Sequence, residues 1–181
     1  MRIVVARHCE TEYNAQGRVQ GMIDIPLNAN GLAQAARLAS DVRRYNIKLI
    51  CTSELQRAKQ TAAIVAKTIG APVWTTARLN ECHFGKLDGV TLLEFGLRGG
   101  WKNLPRARRV LETDYTKFGG DRGQDVFDRQ KLLLDEYKAS FLGAMTIMVI
   151  GHGRSLRTLL APLGHPTDWL RHQDSHIVIN Y

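Results

Sequence analysis

Arg7-His8 follows directly on the apolar run Ile3-Val4-Val5-Ala6, and Gly151-His152 follows on Met145-Thr146-Ile147-Met148-Val149-Ile150. Short runs rich in β-branched residues read as buried strands. In an open α/β sheet, ligands bind just outside the carboxyl ends of the strands. An arginine and two histidines therefore stand where a site would form. If the two strands are neighbours across the switch point, both imidazoles face one crevice. A neutral imidazole nitrogen can attack phosphorus without first losing a proton, so His8 and His152 are the candidate nucleophiles. A phosphoryl group also needs fixed cations, and the planar fork of arginine suits its oxygens. Arg7 is one candidate. Arg57 is the other, in the first turn of a predicted helix at the end of a second strand. Breaking a phosphate ester needs a proton for the leaving oxygen. Glu81, just before the Phe84-Gly85 turn, is the candidate acid.

The elements that must carry these residues alternate along the chain. The polar stretch from His8 to Asn30 has no period and begins at the site, as long functional loops do. Asn28 or Asn30 caps a predicted helix over Leu32 to Tyr45, with Leu32, Ala35, Ala36 and Ala39 on its apolar face. Leu49-Ile50-Cys51 is a second strand. Ser53 caps a helix through Ile69, with Leu55, Ala58, Ala62, Val65 and Ile69 in phase and Gly70 as its stop. Pro72 to Thr75 is a further strand. Leu92 to Leu97 is a short helix, followed by the breakers Gly99, Gly100 and Pro105. Asp125 to Phe141 is a helix buried through Val126, Leu132, Leu133 and Tyr137 and stopped by Gly143. Ser155 to Leu163 is a helix after His152, and Ile177-Val178-Ile179 closes the chain as a strand. This alternation predicts a three-layer α/β/α fold with a mostly parallel central sheet. No linker interrupts residues 1–181, so one domain is expected.

A chain of 181 residues can build a full core. Its formal net charge of +8 points to an anionic partner: nucleic acid, an acidic surface or a small substrate. There is no long run of like charge, no aromatic interleaving and no nucleic-acid module, so nucleic acid is not the expected partner. The three cysteines are odd in number and lack CxxC or metal-ligand spacing, which points to reduced thiols and a cytoplasmic location. Nothing approaches a signal peptide or a membrane span. The histidines lack His-x-x-x-His spacing, so no metal is expected.

Taken together, the blocks resemble the histidine phosphatase superfamily, which includes cofactor-dependent phosphoglycerate mutase. Arg7-His8-Cys9-Glu10-Thr11 is similar to the Arg-His-Gly-Glu-Thr signature. Asn14, Arg18, Gln20-Gly21 and Asp24-Ile25-Pro26-Leu27 match the loop that follows it, and Gly31 and Gln34-Ala35 match the first helix. Ser53-Glu54-Leu55-Gln56-Arg57-Ala58 and Gln60-Thr61-Ala62 match the second block. Leu79-Asn80-Glu81, Phe84-Gly85 and Gly89 match the third, and Gly151-His152-Gly153 the last.

The resemblance implies a phosphoglycerate mutase-like fold and a phosphatase working through phosphohistidine, with small phosphorylated metabolites as substrates and no cofactor. It implies that His8 takes the phosphoryl group, that Arg7, Arg57 and His152 surround it, and that Glu81 protonates the leaving oxygen and then activates water. Asn14, Gln20, Gly21 and Gly153 fall where the family touches phosphate or substrate. A monomer or homodimer is expected. The mutases carry a C-terminal tail that shields the phosphoenzyme, and the end of this chain at Tyr181 favours water as acceptor. A mutase remains the alternative, as does a non-catalytic binder of phospho-ligands or nucleic acid.

Cys9 stands where the family has glycine, and the substrate-side loop survives only as Gly119-Gly120-Asp121-Arg122. Arg154, two positions after His152, predicts contact with a second acidic group on the substrate. Arg106, Arg108 and Arg109 cluster in the stretch from Leu92 to Gly120, where specificity is expected, and read as solvated surface charge.

Overall fold

Strand β1 (Arg2–Arg7) is buried on both sides, and its side chains alternate between two cores. Val4 and Ala6 pack with α2 (Ala29–Val42) and α3 (Gln56–Ile69). Ile3 and Val5 pack with α5 (Gly123–Ser140) and α6 (Gly153–Leu160). A strand covered on both faces needs a continuous apolar run, which is why its sequence shows no polar alternation. Each buried aliphatic side chain contributes about 1.5–3 kcal/mol. The computed structural model describes residues 1–99, 107–140, 145–171 and 175–181.

The sheet has the order β3-β2-β4-β1-β5, where β2 is Leu49–Thr52, β3 is Val73–Thr75, β4 is Thr146–Gly151 and β5 is His176–Asn180. β5 runs antiparallel to β1, and the other pairings are parallel. In the register of β1 against β4, Arg7 lies opposite Gly151. His8 and His152 therefore leave adjacent strands side by side. The chain leaves β1 toward the α2 face and leaves β4 toward the α6 face. That divergence opens a crevice at the carboxyl ends of the two strands.

Several boundaries differ from the sequence reading. The polar stretch after β1 holds one short helix, α1 (Glu12–Ala15), closed by a capping box between Thr11 and Asn14. Asn28, not Asn30, caps α2. The buried stripe of α2 is Gly31, Gln34, Ala35, Leu38, Ala39 and Val42, so Leu32 and Ala36 face solvent. Ser53 is not the cap of α3. Leu55 holds the N-cap position, while the Ser53 hydroxyl donates to Asn80 Oδ1 at 2.8 Å and accepts from Leu55 N–H. On α5, Leu134 is buried in place of Leu132, which is exposed. α6 begins two residues earlier than expected and ends at Leu160. Gly100, Pro105, Arg106, Phe141 and Gly143 lie outside the described residues. Arg108 and Arg109 fall on the short helical turn Ala107–Glu112.

A third cluster stands beyond the sheet. Cys82, Phe84, Leu87, Phe95, Tyr115 and Val126 pack there under α4 (Leu92–Leu97), with Phe84 edge-on to Tyr115 at 5.0 Å between centroids. Val19 N–H donates to Val90 C=O and Leu92 N–H to Gly17 C=O, so residues 17–19 run beside 89–92. This cluster walls the open side of the crevice.

Candidate active site

His8 and His152 lie with ring centroids 5.1 Å apart. His8 is 2% exposed and His152 fully buried. His8 Nδ1 lies 2.7 Å from the Cys9 carbonyl oxygen. A carbonyl only accepts, so Nδ1 carries the proton and Nε2 keeps its lone pair. Burial holds the His8 imidazole well below its ordinary pKa, and the Arg57 and Arg7 charges push the same way. At neutral pH the ring is therefore an uncharged nucleophile. Arg57 Nε donates to His152 Nδ1 at 3.2 Å, which places the His152 proton on Nε2. That Nε2–H has no partner among the described residues.

Arg57 is fully buried and fixed by three bonds. Besides His152, its Nη1 donates to Ile23 C=O and its Nη2 to Gly21 C=O, both at 2.8 Å. Burial pulls its pKa down to about 10, so it stays a cation. Gly21 accepts this bond in a left-handed conformation, φ +51°, and a Cβ there would collide with the Asp88 carboxylate. Arg7 donates from Nη1 to Leu170 C=O at 2.8 Å, and its Nε has no partner. Gly153 lets the Arg7 guanidinium lie close, since a Cβ would sit 3.3 Å from Cζ.

The loop after His8 is fastened by side chains of the two helices beneath it. Thr61 Oγ1 accepts from Cys9 N–H and donates to Arg57 C=O. Gln34 Oε1 accepts from Glu10 N–H, and Gln60 Oε1 from Leu27 N–H. The Cys9 side chain packs into the core with Ala35, Ala58 and Ala62, so it does not crowd the crevice. The Thr11 hydroxyl reaches the side-chain oxygens of Asn14 and Gln20, each at 3.0 Å, which orients both toward the cavity they line.

Glu81 caps α6 from a distant part of the chain. Its Oε1 accepts from Ser155 N–H at 2.7 Å and Cys82 N–H at 2.9 Å, and its Oε2 accepts from Arg154 N–H at 3.1 Å. His152, the residue at the N-cap position, makes no side-chain cap of its own. Oε1 is filled by two donors, while Oε2 keeps a lone pair for a proton. Arg129 holds the loop from behind, donating to the carbonyls of Ala77, Asn80 and Glu81.

Arg7, His8, Asn14, Gln20, Gly21, Arg57, Glu81, Gly153 and Arg154 all line one cavity of about 270 Å³. His152 is held against His8 and Arg57. Arg122 is the exception. It is exposed, faces Asp114 at 4.0 Å and does not line the cavity. The structure adds Arg18, Arg157 and an apolar wall of Val19, Phe84, Leu92, Phe95 and Leu170. Arg157 was readable in principle, one turn beyond Arg154 on the same helix face. Arg129 gave no signal, because nothing in a helical repeat says which loop the helix will meet. Among the described residues, no group of three or more His, Cys, Asp or Glu side chains is placed to hold a metal ion. No helix among them is long and apolar enough to cross a membrane.

The profile of the histidine phosphatase superfamily (branch 1) matches residues 3–176. The chain belongs to the histidine phosphatase superfamily. Among the relatives of this histidine phosphatase is glucosyl-3-phosphoglycerate phosphatase of Mycolicibacterium vanbaalenii, 34% identical over 92% of this chain and 76% of that protein. Another is a probable phosphoglycerate mutase, GpmB, of Serratia proteamaculans, 31% identical over the same shares of the two chains. The crystal structure of a mycobacterial glucosyl-3-phosphoglycerate phosphatase in complex with VO3 superposes with a TM-score of 0.84. That pair is 26% identical, over 98% of this chain and 90% of the other.

Proposed function

We propose that this histidine phosphatase hydrolyses phosphate monoesters of small anionic metabolites, with His8 as the nucleophile. One observation carries the reading. An uncharged imidazole with a bare Nε2 stands beside donors that have no partner among the described residues, His152 Nε2–H and Arg7 Nε–H. Buried donors normally find partners, and a phosphoryl group supplies oxygens for both.

His8 Nε2 gives its lone pair to phosphorus, and the bond from phosphorus to the ester oxygen breaks. The electron pair stays on that oxygen, and Glu81 Oε2 supplies its proton. Arg7, Arg57 and His152 stabilise the charge that spreads over the three remaining phosphoryl oxygens. The alcohol leaves. Water then attacks the phosphohistidine while the Glu81 carboxylate takes its proton, and the nitrogen–phosphorus bond returns its electron pair to Nε2. Arg129 is a positioning residue, fixing the backbone that carries Glu81. Asn14, Gln20, Gly21 and Gly153 border the phosphate and the adjoining substrate. Buried thiols at Cys9, Cys51 and Cys82, none of them in a disulfide, support a reducing, cytoplasmic location.

The relatives named as mutases favour a second reading, in which another hydroxyl replaces water. A panel of phosphate esters assayed for phosphate release, with isomerisation of 3-phosphoglycerate followed in parallel, separates the two. Hydrolysis is expected to dominate. Isomerisation as fast as phosphate release, with a bisphosphate primer present, makes the protein a mutase.

A further inference from the structure

We infer that the cavity contains a second anion site built on Arg154, shaped for a carboxylate, so that the preferred substrates are phosphorylated carboxylic acids. The inference rests on reading the His8 end of the same cavity as the phosphate site.

Arg154 lines the cavity, is only 9% exposed, and its side-chain Nε and Nη2 have no hydrogen-bond partner. These two nitrogens share one edge of the guanidinium. Together they form a fork that meets both oxygens of a planar carboxylate. The main chain of Arg154 is engaged, with its N–H on Glu81 and its carbonyl on Thr158, but the side chain forms no ion pair among the described residues.

Two other arginines, buried Arg57 and partly buried Arg129, show how this fold holds a guanidinium in place. Arg57 gives its guanidinium to two carbonyls and an imidazole, and Arg129 gives its own to three carbonyls. Carbonyl acceptors are the usual way to bury a guanidinium cheaply. Nothing of the kind is provided for Arg154, and a buried cation without an acceptor is costly unless a ligand supplies one.

Tyr115 adds a second orphan. It is fully buried, its hydroxyl has no partner, and it lies within electrostatic reach of Arg154. Its ring packs on Phe84, which lines the cavity. A carboxylate in the Arg154 fork would lie on the side of the cavity that Phe84 lines, against the cluster that holds this hydroxyl. A second phosphate carries up to two charges and three oxygens, and at the His8 end that demand is met by Arg7 and Arg57 together. One fork and one hydroxyl suit a carboxylate better. Arg18, another of the cations that line the cavity, already stacks on the Tyr13 ring at 5.1 Å.

The test is titration calorimetry with phosphonates, which bind but are not hydrolysed. The pair is 3-phosphonopropionate and 3-phosphonopropionamide, with ethylenediphosphonate as a third ligand. Wild-type protein should bind the acid about ten- to a hundredfold more tightly than the amide, the worth of a charge-assisted bidentate contact. Arg154→Met should erase most of that ratio. Arg154→Lys, which keeps the charge but loses the fork, should keep part of it, and Tyr115→Phe should reduce it. If Arg154→Met does not fold, the wild-type ratio and the lysine variant decide the matter. Equal affinity for acid and amide in the wild type overturns the inference. So does a ratio that survives Arg154→Met, tighter binding of ethylenediphosphonate than of the acid, or failure of all three ligands to bind. The phosphatase reading fails separately. Protein that prefers the acid but never turns over an ester keeps the Arg154 site and loses the hydrolase.

Discussion

At the His8 end of the cavity, the arginines are tied to the main chain. Arg57 reaches Gly21 and Ile23, Arg7 reaches Leu170, and the imidazole of His8 is locked by Cys9. These groups stand on the ends of β1 and β4 or at the start of α3, elements buried on both faces of a sheet. At the far end the wall is α4 and the Phe84–Phe95–Tyr115 cluster, outside the sheet. There the Arg154 side chain has no tie to the main chain among the described residues, and α4 leaves Leu93 and Leu97 71% and 79% exposed. The difference separates two tasks. Chemistry on phosphorus needs donors and a nucleophile that do not reorganise during the reaction, and strand ends in a packed sheet supply that rigidity. Selection among esters needs only a wall that differs, and a satellite cluster can change without disturbing the sheet.

The largest effect should come from breaking the rigid end. His8→Ala removes the attacking nitrogen, so turnover and the phosphoenzyme should both vanish. Mass spectrometry after an acid-free quench reads the phosphoryl mass on the peptide containing His8. Full turnover by the variant would mean that another group attacks.

Glu81→Gln comes next. Loss of a general acid costs about 10²–10⁴-fold. The loss should appear with alkyl esters and shrink with activated aryl phosphates, whose leaving oxygens need little protonation. Equal losses on both would reduce Glu81 to its capping of α6.

Phe95→Ala tests the far end. Phe95 is buried under α4 against Phe84, and truncating a phenylalanine in such a place costs about 3–5 kcal/mol. Thermal melts should show the loss. Steady-state kinetics below the melt should show a raised KM, while the phosphoenzyme still forms. Loss of the phosphoenzyme in folded protein would show that the two ends are not separable.

The smallest effect is on stability against pH. The native pKa values of His8 and His152 are depressed by burial and then by Arg57 and Arg7, whereas in the unfolded chain they titrate at about 6.5. Below that pH the unfolded chain takes up protons that the native protein refuses. The stabilising contribution of the neutral rings is therefore fully present above pH 6.5 and lost as pH falls below it. Tm should drop by a few degrees between pH 7.5 and pH 5.5. His176, also depressed, contributes in the same direction, so the comparison is with His8→Gln, whose profile should be flatter. Identical slopes would mean that His8 titrates alike in both states.

The chemistry was legible in the sequence because it is local. An apolar run followed at once by Arg7-His8, and another followed by Gly151-His152, declare two buried strands with candidate site residues at their carboxyl ends. The alternation of strands and helices gave the layers. What the sequence left open depends on partners far along the chain. That β1 and β4 are neighbours, with Arg7 opposite Gly151, brings the histidines together across more than a hundred residues. Periodicity sees one helix at a time, so it put Leu32, Ala36 and Leu132 on faces that meet no other element. It also saw Ser53 as a cap, although Asn80 takes that hydroxyl. Glu81 is a candidate acid already in the sequence, but its hold on the first N–H groups of α6 appears only in the packing. The sequence singles out Arg154 only by its place two residues after His152. Only the packing around it shows that the residue is buried, lines the cavity and keeps its Nε and Nη2 without a partner among the described residues.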